Sequence, residues 1–361
     1  MVTELRADAE TTLIQYLAPA PTATPRKVRL DYLDALKVVL TVLVIAHHAG
    51  QPYGPTGGRW PIFEDQRAAI LGPFFSVNAA FFMGLFFLIS AYFLPSSFDR
   101  KGAAAFLKDR FVRLGIPFVV VGLSIGALSK ATFDPAHMWF VGHLLVYAVL
   151  YAVWRALHLP GLSLALPGNR AILGYALLLA GVTAIVRLAG FPQDRWVTVL
   201  GVVPVEPAHL PQYASLFAIG ILAARSDWLA RLSTRTGMFW LTIGLVLSVA
   251  RYLYPLVIGG GPALALWSVW ESFICVGLCV GLPVLCRDYL RVPGLLRGQA
   301  PHAYGAYVVH VMPVVVGLQF ALAQVSLEPL AKFALVTLAG VPLSFLLSAG
   351  LRRLPGVRAV L

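Results

Sequence analysis

The 361-residue chain is 59% hydrophobic and only 12% charged, about half the charge share of a soluble domain, and its mean hydropathy is +0.79. Too little polar surface remains to face water, which excludes a soluble enzyme, a disordered chain and a disulfide-built module and leaves a polytopic all-α membrane protein. The net charge of +12 then fits basic loops facing anionic headgroups rather than nucleic acid.

Residues 1–30 mix Glu4, Asp8 and Glu10 with the stretch APAPTATP. No apolar run follows a basic one, so this segment reads as a mobile cytoplasmic tail and not a signal peptide. Residues 31–361 read as one membrane domain. Within it, apolar blocks long enough to cross about 30 Å of hydrocarbon recur at about 35–52, 74–94, 112–129, 138–156, 171–190, 209–224, 237–257, 263–285, 303–324 and 329–350. Ten spans put both termini on one side. With that side cytoplasmic, 21 of the 28 Lys and Arg fall inside, a strong positive-inside bias. The expectation is a multi-pass protein of the inner (plasma) membrane.

Ionisable groups inside hydrocarbon are costly and mark function. The first span, RLDYLDALKVVLTVLVIAHHAGQPYGP, holds Lys37 and His48 eleven positions apart, about 20° apart in azimuth and roughly 16 Å along a helix axis. His47 is rotated about 80° from Lys37 on the same helical wheel. One stripe thus runs from a surface cation to a deep histidine. Either Lys37 snorkels and His48 bonds a neighbouring helix, or both serve a reaction; the adjacent His47 favours the second. Further on, FLKDRFVRLGIP opens a helix with Arg110 and Arg113 at i, i+3, one face in an α-helix. Their planar forks suit a multiply charged phosphate, or they are ordinary positive-inside flanks.

Taken in order, YLDALK followed by HH, then FFLISAYF, FLKDRFVRLGIP, MWFVGHLLVYAVLY and HAYGAYVVH resemble the motifs of the bacterial acyltransferase family 3 of integral membrane O-acyltransferases. The fourth is similar to an HLWFL-type segment and the last to SYxxYLxH, so the resemblance runs from about residue 29 to 320. The family's first-span histidine lies fourteen residues after the aspartate, which selects His48 after Asp34. Its paired arginines fall on Arg110 and Arg113. Lys37 stands where Arg is usual, and Ala91 replaces the Gly of SGY.

The resemblance implies transfer of an acyl group from cytoplasmic acyl-CoA (acetyl-CoA in the simplest case) to a hydroxyl of a sugar, glycoconjugate or small metabolite. Acyl-CoA is a co-substrate here, and no resident cofactor is expected. Arg110, Arg113 and Lys37 are the candidates for the CoA phosphates. His48, with His47 beside it, is the candidate general base on the acceptor hydroxyl, or else becomes transiently acylated.

Other polar residues form a second tier. Glu271, an acid in mid-span, orients a histidine, binds the acceptor or makes a structural bond. His143 is a candidate acceptor contact. Tyr307 and His310, sharing a face near the inner end of the ninth span, line a donor tunnel or lock packing; Asp34 is a further tunnel candidate. Ser76 and Asn78 read as helix–helix glue, and Arg187 and Arg251 as snorkelling side chains. Gly277 and Gly281 read as a packing motif, and Cys275 and Cys279 as small core residues. GLSIG at 122–126 matches a nucleophile-elbow pattern but lies in a helix, and no metal-binding motif is present. The rival reading is a multi-span transporter or exporter of a polar or lipid-linked solute.

Overall fold

A computed structural model describes residues 30–55, 60–158, 164–257 and 264–361. The tail read over residues 1–30 therefore lies, apart from Leu30, outside the described residues. In chain order, α1 spans Asp31–Ala49, α2 Leu71–Tyr92, α3 Ala103–Ser129, α4 Trp139–Ala156 and α5 Asn169–Leu188. They are followed by α6 Leu210–Arg225, α7 Thr234–Val257, α8 Leu264–Asp288, α9 Gly294–Leu322 and α10 Pro329–Leu351. All ten apolar blocks fold as helices. Among the described residues nine are long and apolar enough to cross a membrane. The exception is α6, whose 16 residues reach about 24 Å at 1.5 Å per residue.

Apolar side chains cover these helices all round, so exposed Leu128, Leu150, Leu178, Leu338 and Leu346 have only lipid as a compatible solvent. Between helices, close packing replaces the hydrophobic driving force. A Cβ on Gly277 of α8 would lie 2.7 Å from the Gly244 nitrogen of α7, and one on Gly220 of α6 would lie 2.4 Å from the Leu88 carbonyl of α2. Only hydrogen at these points lets the backbones touch, as the spacing of Gly277 and Gly281 predicts. Cys275 and Cys279 are buried and unbridged. Ser124 of the GLSIG stretch bonds the Val120 carbonyl within its own helix.

One buried cluster fixes the helices that matter most below. Val38, Ile45, Tyr53, Phe75, Ala306, Val315, Val336 and Phe345 join α1, α2, α9 and α10 in a single core. Two wide π-turns interrupt the long helices, Phe111–Gly115 in α3 and His310–Val316 in α9. The second contains Pro313, which lacks an N–H and crowds the preceding carbonyl, so a wider turn relieves it. Because α9 starts at Gly294 rather than near 303, His310 lies in the middle of its helix and not near the inner end.

Between α5 and α6 the chain forms an antiparallel hairpin, β1 Val197–Val199 and β2 Val203–Val205. Its turn puts Leu200 and Gly201 at φ 53° and 72°, the two positive values that a type I′ turn requires.

Candidate active site

The buried core of α1 and α9 brings together two histidines separated by 262 residues: His48 Nδ1 and His310 Nε2 are 2.8 Å apart. His310 is fully buried, and its Nδ1 lies 2.6 Å from the Tyr307 carbonyl oxygen. A carbonyl only accepts, so His310 Nδ1 carries the proton and, in the neutral ring, its Nε2 accepts. The proton between the rings therefore belongs to His48 Nδ1. That leaves His48 Nε2 with a bare lone pair on a half-buried ring. One backbone carbonyl thus sets the tautomer of two rings in series.

Three residues that the sequence reading passed over hold this arrangement. Gln319 of α9 is fully buried; its amide donates to the His48 and Ala49 carbonyls at 3.1 Å each, capping orphan acceptors at the end of α1. The Gln319 oxygen accepts from Trp60 Nε1 at 2.7 Å, and the Trp60 ring stacks on His48 at 5.7 Å and 12°. His137, just before α4, donates from Nε2 to the Val308 carbonyl at 3.1 Å and stands edge-on to His310 at 5.1 Å. The Tyr307 hydroxyl donates to the His137 carbonyl, tying α9 to the start of α4. His137 opens the HMWFV stretch, so its signal was present in the sequence. His47 takes a different direction, into an aromatic slot with Phe75 and Phe82 at 5.1 and 5.2 Å.

At the basic face, Lys37 pairs with Asp34 at 2.7 Å and lies 5.2 Å from the Phe93 ring centroid, so its charge is already partly matched. The π-turn begins at Phe111, and Arg110 and Arg113 consequently meet different neighbours instead of the shared α-helical face expected. Arg110 bonds Ser97 Oγ at 3.2 Å and covers the Phe106 ring at 5.0 Å. Arg113 is exposed, while its carbonyl accepts from the Tyr304 hydroxyl of α9.

A second buried polar group surrounds Glu271. Its two oxygens accept from Arg187 and, at 2.7 Å, from His209 Nε2; His209 Nδ1 is 2.6 Å from Glu206, and Arg187 also reaches Ser268 at 3.2 Å. Arg187 is only 2% exposed, so the snorkelling reading is corrected: the side chain turns inward because Glu271 offers an opposite charge where water is absent. Arg251, by contrast, lies over the Trp267 ring at 5.0 Å. Glu271 orients His209 and not His48. Burial opposes the Glu206 charge, but His209 and the Asp194 N–H outweigh it and hold the Glu206 pKa below the ordinary carboxylate value. His143 donates to the Pro204 carbonyl at 3.0 Å, fastening the hairpin to α4. Between the two polar groups runs an aromatic wall, with Tyr213 stacked on His209 and on Trp139, and Phe140 against Tyr307. Among the described residues no group of three His, Cys, Asp or Glu is arranged to hold a metal ion.

These features agree with the comparison to known proteins. A family model described as an acyltransferase domain matches residues 30–349, from the foot of α1 into the last turn of α10. No curated protein and no solved structure matches the chain. The match takes in His48, the arginine-bearing π-turn and His310 alike, and this multi-pass membrane chain therefore belongs to the acyltransferase family 3.

Proposed function

We propose that the protein moves an acyl group from a cytoplasmic acyl-CoA to a hydroxyl of a sugar, glycoconjugate or small metabolite, with His48 as general base. The observation that carries this reading is the hydrogen-bond series from the Tyr307 carbonyl through His310 to His48, which presents the bare Nε2 of His48. That nitrogen takes the proton of the acceptor hydroxyl as its oxygen attacks the thioester carbonyl. The C–S bond then breaks, and the leaving thiolate recovers the proton from His48. His310 keeps its own proton throughout and steadies the charge that appears on His48. Arg110 and Arg113 hold the donor's phosphates at the basic face, from which the pantetheine arm runs inward along α9. Lys37, already paired with Asp34, has the smaller share of that work. The basic face is the cytoplasmic side of the inner membrane.

Purified protein in nanodiscs, supplied with acetyl-CoA and a panel of hydroxylated acceptors, is expected to release free CoA with formation of an ester. The His48→Ala variant, folded by its melting curve, is expected to lose about 10²–10⁴ in rate, the usual share of a general base. Retained transfer in that variant removes His48 from the mechanism. Solute flux without thioester consumption makes the chain a transporter.

A further inference from the structure

Several cations at the basic face have a carboxylate partner. Lys37 pairs with Asp34 at 2.7 Å, Lys101 with Asp109 at 2.8 Å, Arg155 with Asp99 at 2.7 Å and Arg287 with Asp288 at 2.6 Å. Arg113, Arg352 and Arg358 converge without one among the described residues, although they come from three separate elements. Gly356, at φ 78°, reverses the chain after α10, and α11, Val357–Val360, then packs on the π-turn Phe111–Gly115. Leu361 is only 6% exposed; it lies beside Gly305 of α9, where a Cβ would stand 3.6 Å from the Leu361 Cβ. The returning segment is thus anchored by burial. Burial and then the charges of Arg113 and Arg358 lower the pKa of Arg352. A positive-inside bias accounts for the number of cations here but not for an anchored fold-back that places three of them together unpaired. Three guanidinium forks gathered from three elements offer a multiply charged anion several charge-assisted hydrogen bonds at once.

The cluster is also linked through α9 to the His48–His310 pair. Tyr304 of α9 bonds the Arg113 carbonyl, and Tyr307 and His310 follow it at three-residue spacing along the helix. From Tyr304 to His310 is about 9 Å along the helix. Three arginine forks at the basic face and the His48–His310 pair deeper along α9 suit a ligand with clustered phosphates on one tip and a reactive carbonyl on the other.

We infer that Arg352 and Arg358 join Arg113 in a site for clustered phosphates, which takes the 3′-phosphorylated nucleotide end of the coenzyme A donor. This rests on the donor assigned above. The same chemistry is offered by anionic lipid headgroups, and the test separates the two sources.

Wild type and the double variant Arg352→Ala/Arg358→Ala are compared in neutral phosphatidylcholine nanodiscs, with calorimetric titration of coenzyme A and of 3′-dephospho-coenzyme A. Wild type is expected to prefer coenzyme A. The variant, with an unchanged melting temperature, is expected to bind coenzyme A roughly ten- to a hundredfold more weakly, the loss of one or two charge-assisted hydrogen bonds, and to lose that preference. In turnover the donor KM rises while kcat holds, and Arg→Lys at both positions restores part of the affinity. Unchanged coenzyme A binding in the variant overturns the inference while leaving the donor assignment intact. A variant defect that appears only when phosphatidylglycerol is added assigns the cluster to lipid and overturns it equally. Wild type that binds neither nucleotide overturns the donor reading and this site with it.

Discussion

At the proposed base, His48, chemistry depends on which nitrogen is bare, and that is decided three residues before His310 by the Tyr307 carbonyl. Replacing His310 by Ala removes the acceptor of the His48 Nδ1 proton and frees the ring to rotate and change tautomer. The expected outcome is a fall in kcat of about ten- to a hundredfold, equivalent to one lost buried hydrogen-bond partner, with donor KM unaltered. His310→Gln, whose side-chain oxygen accepts, is expected to recover part of the rate. Steady-state kinetics at saturating donor check both, and full activity in His310→Ala removes the relay from the mechanism. The sequence made His48 legible, because two histidines end an otherwise apolar span. It placed Tyr307 and His310 on one face of a helix but not their partner, since the contact closes across 262 residues. Gln319 and Trp60 gave no signal at all: a polar side chain near a helix end reads as solvated unless the carbonyls it caps are known.

Between elements, the buried Arg187, Glu271 and His209 tie α5, α8 and α6 together, and Glu206 continues the chain into the loop after the hairpin. A buried charge left alone is far costlier than a buried pair removed whole. Glu271→Met is therefore expected to lower stability by about 3–5 kcal/mol, since Arg187 at 2% exposure keeps its charge without a counterion. Arg187→Met combined with Glu271→Met is expected to cost clearly less than the sum of the single changes. Thermal unfolding of the four proteins in one detergent supplies the cycle; additive effects refute the coupling. Glu271 was legible as an acid in mid-span, but Arg187 was not legible as its partner. Its place near the end of α5 suited a snorkelling side chain, and the inward turn follows only from a carboxylate 84 residues away. The π-turns escaped for a related reason. Arg110 and Arg113 obey α-helical spacing on paper, and only packing reveals that the helix widens between them.

For the molecule in its bilayer, the spans were legible because hydrocarbon demands long apolar helices, and the shortfall of α6 shows where that demand is met least. The proposed orientation rests on charge: the segments that share a side with the start of α1 carry 21 of the 28 Lys and Arg, the side that a positive-inside bias assigns to the cytoplasm. On the proposed orientation the three-arginine cluster faces the cytoplasm, where the proposed donor is made, and the loop after α3 faces the other side. Cysteines introduced singly at exposed Arg235, before the body of α7, and at exposed Lys130, after α3, report on the two sides. The background replaces Cys275, Cys279 and Cys286, all buried, by Ala or Ser. In intact cells a membrane-impermeant maleimide is expected to label the cysteine at 130 and spare that at 235, and permeabilisation is expected to expose both. The reverse pattern would turn the molecule over. The donor site would then face away from the cytoplasm, and cytoplasmic acyl-CoA could not be the acyl source.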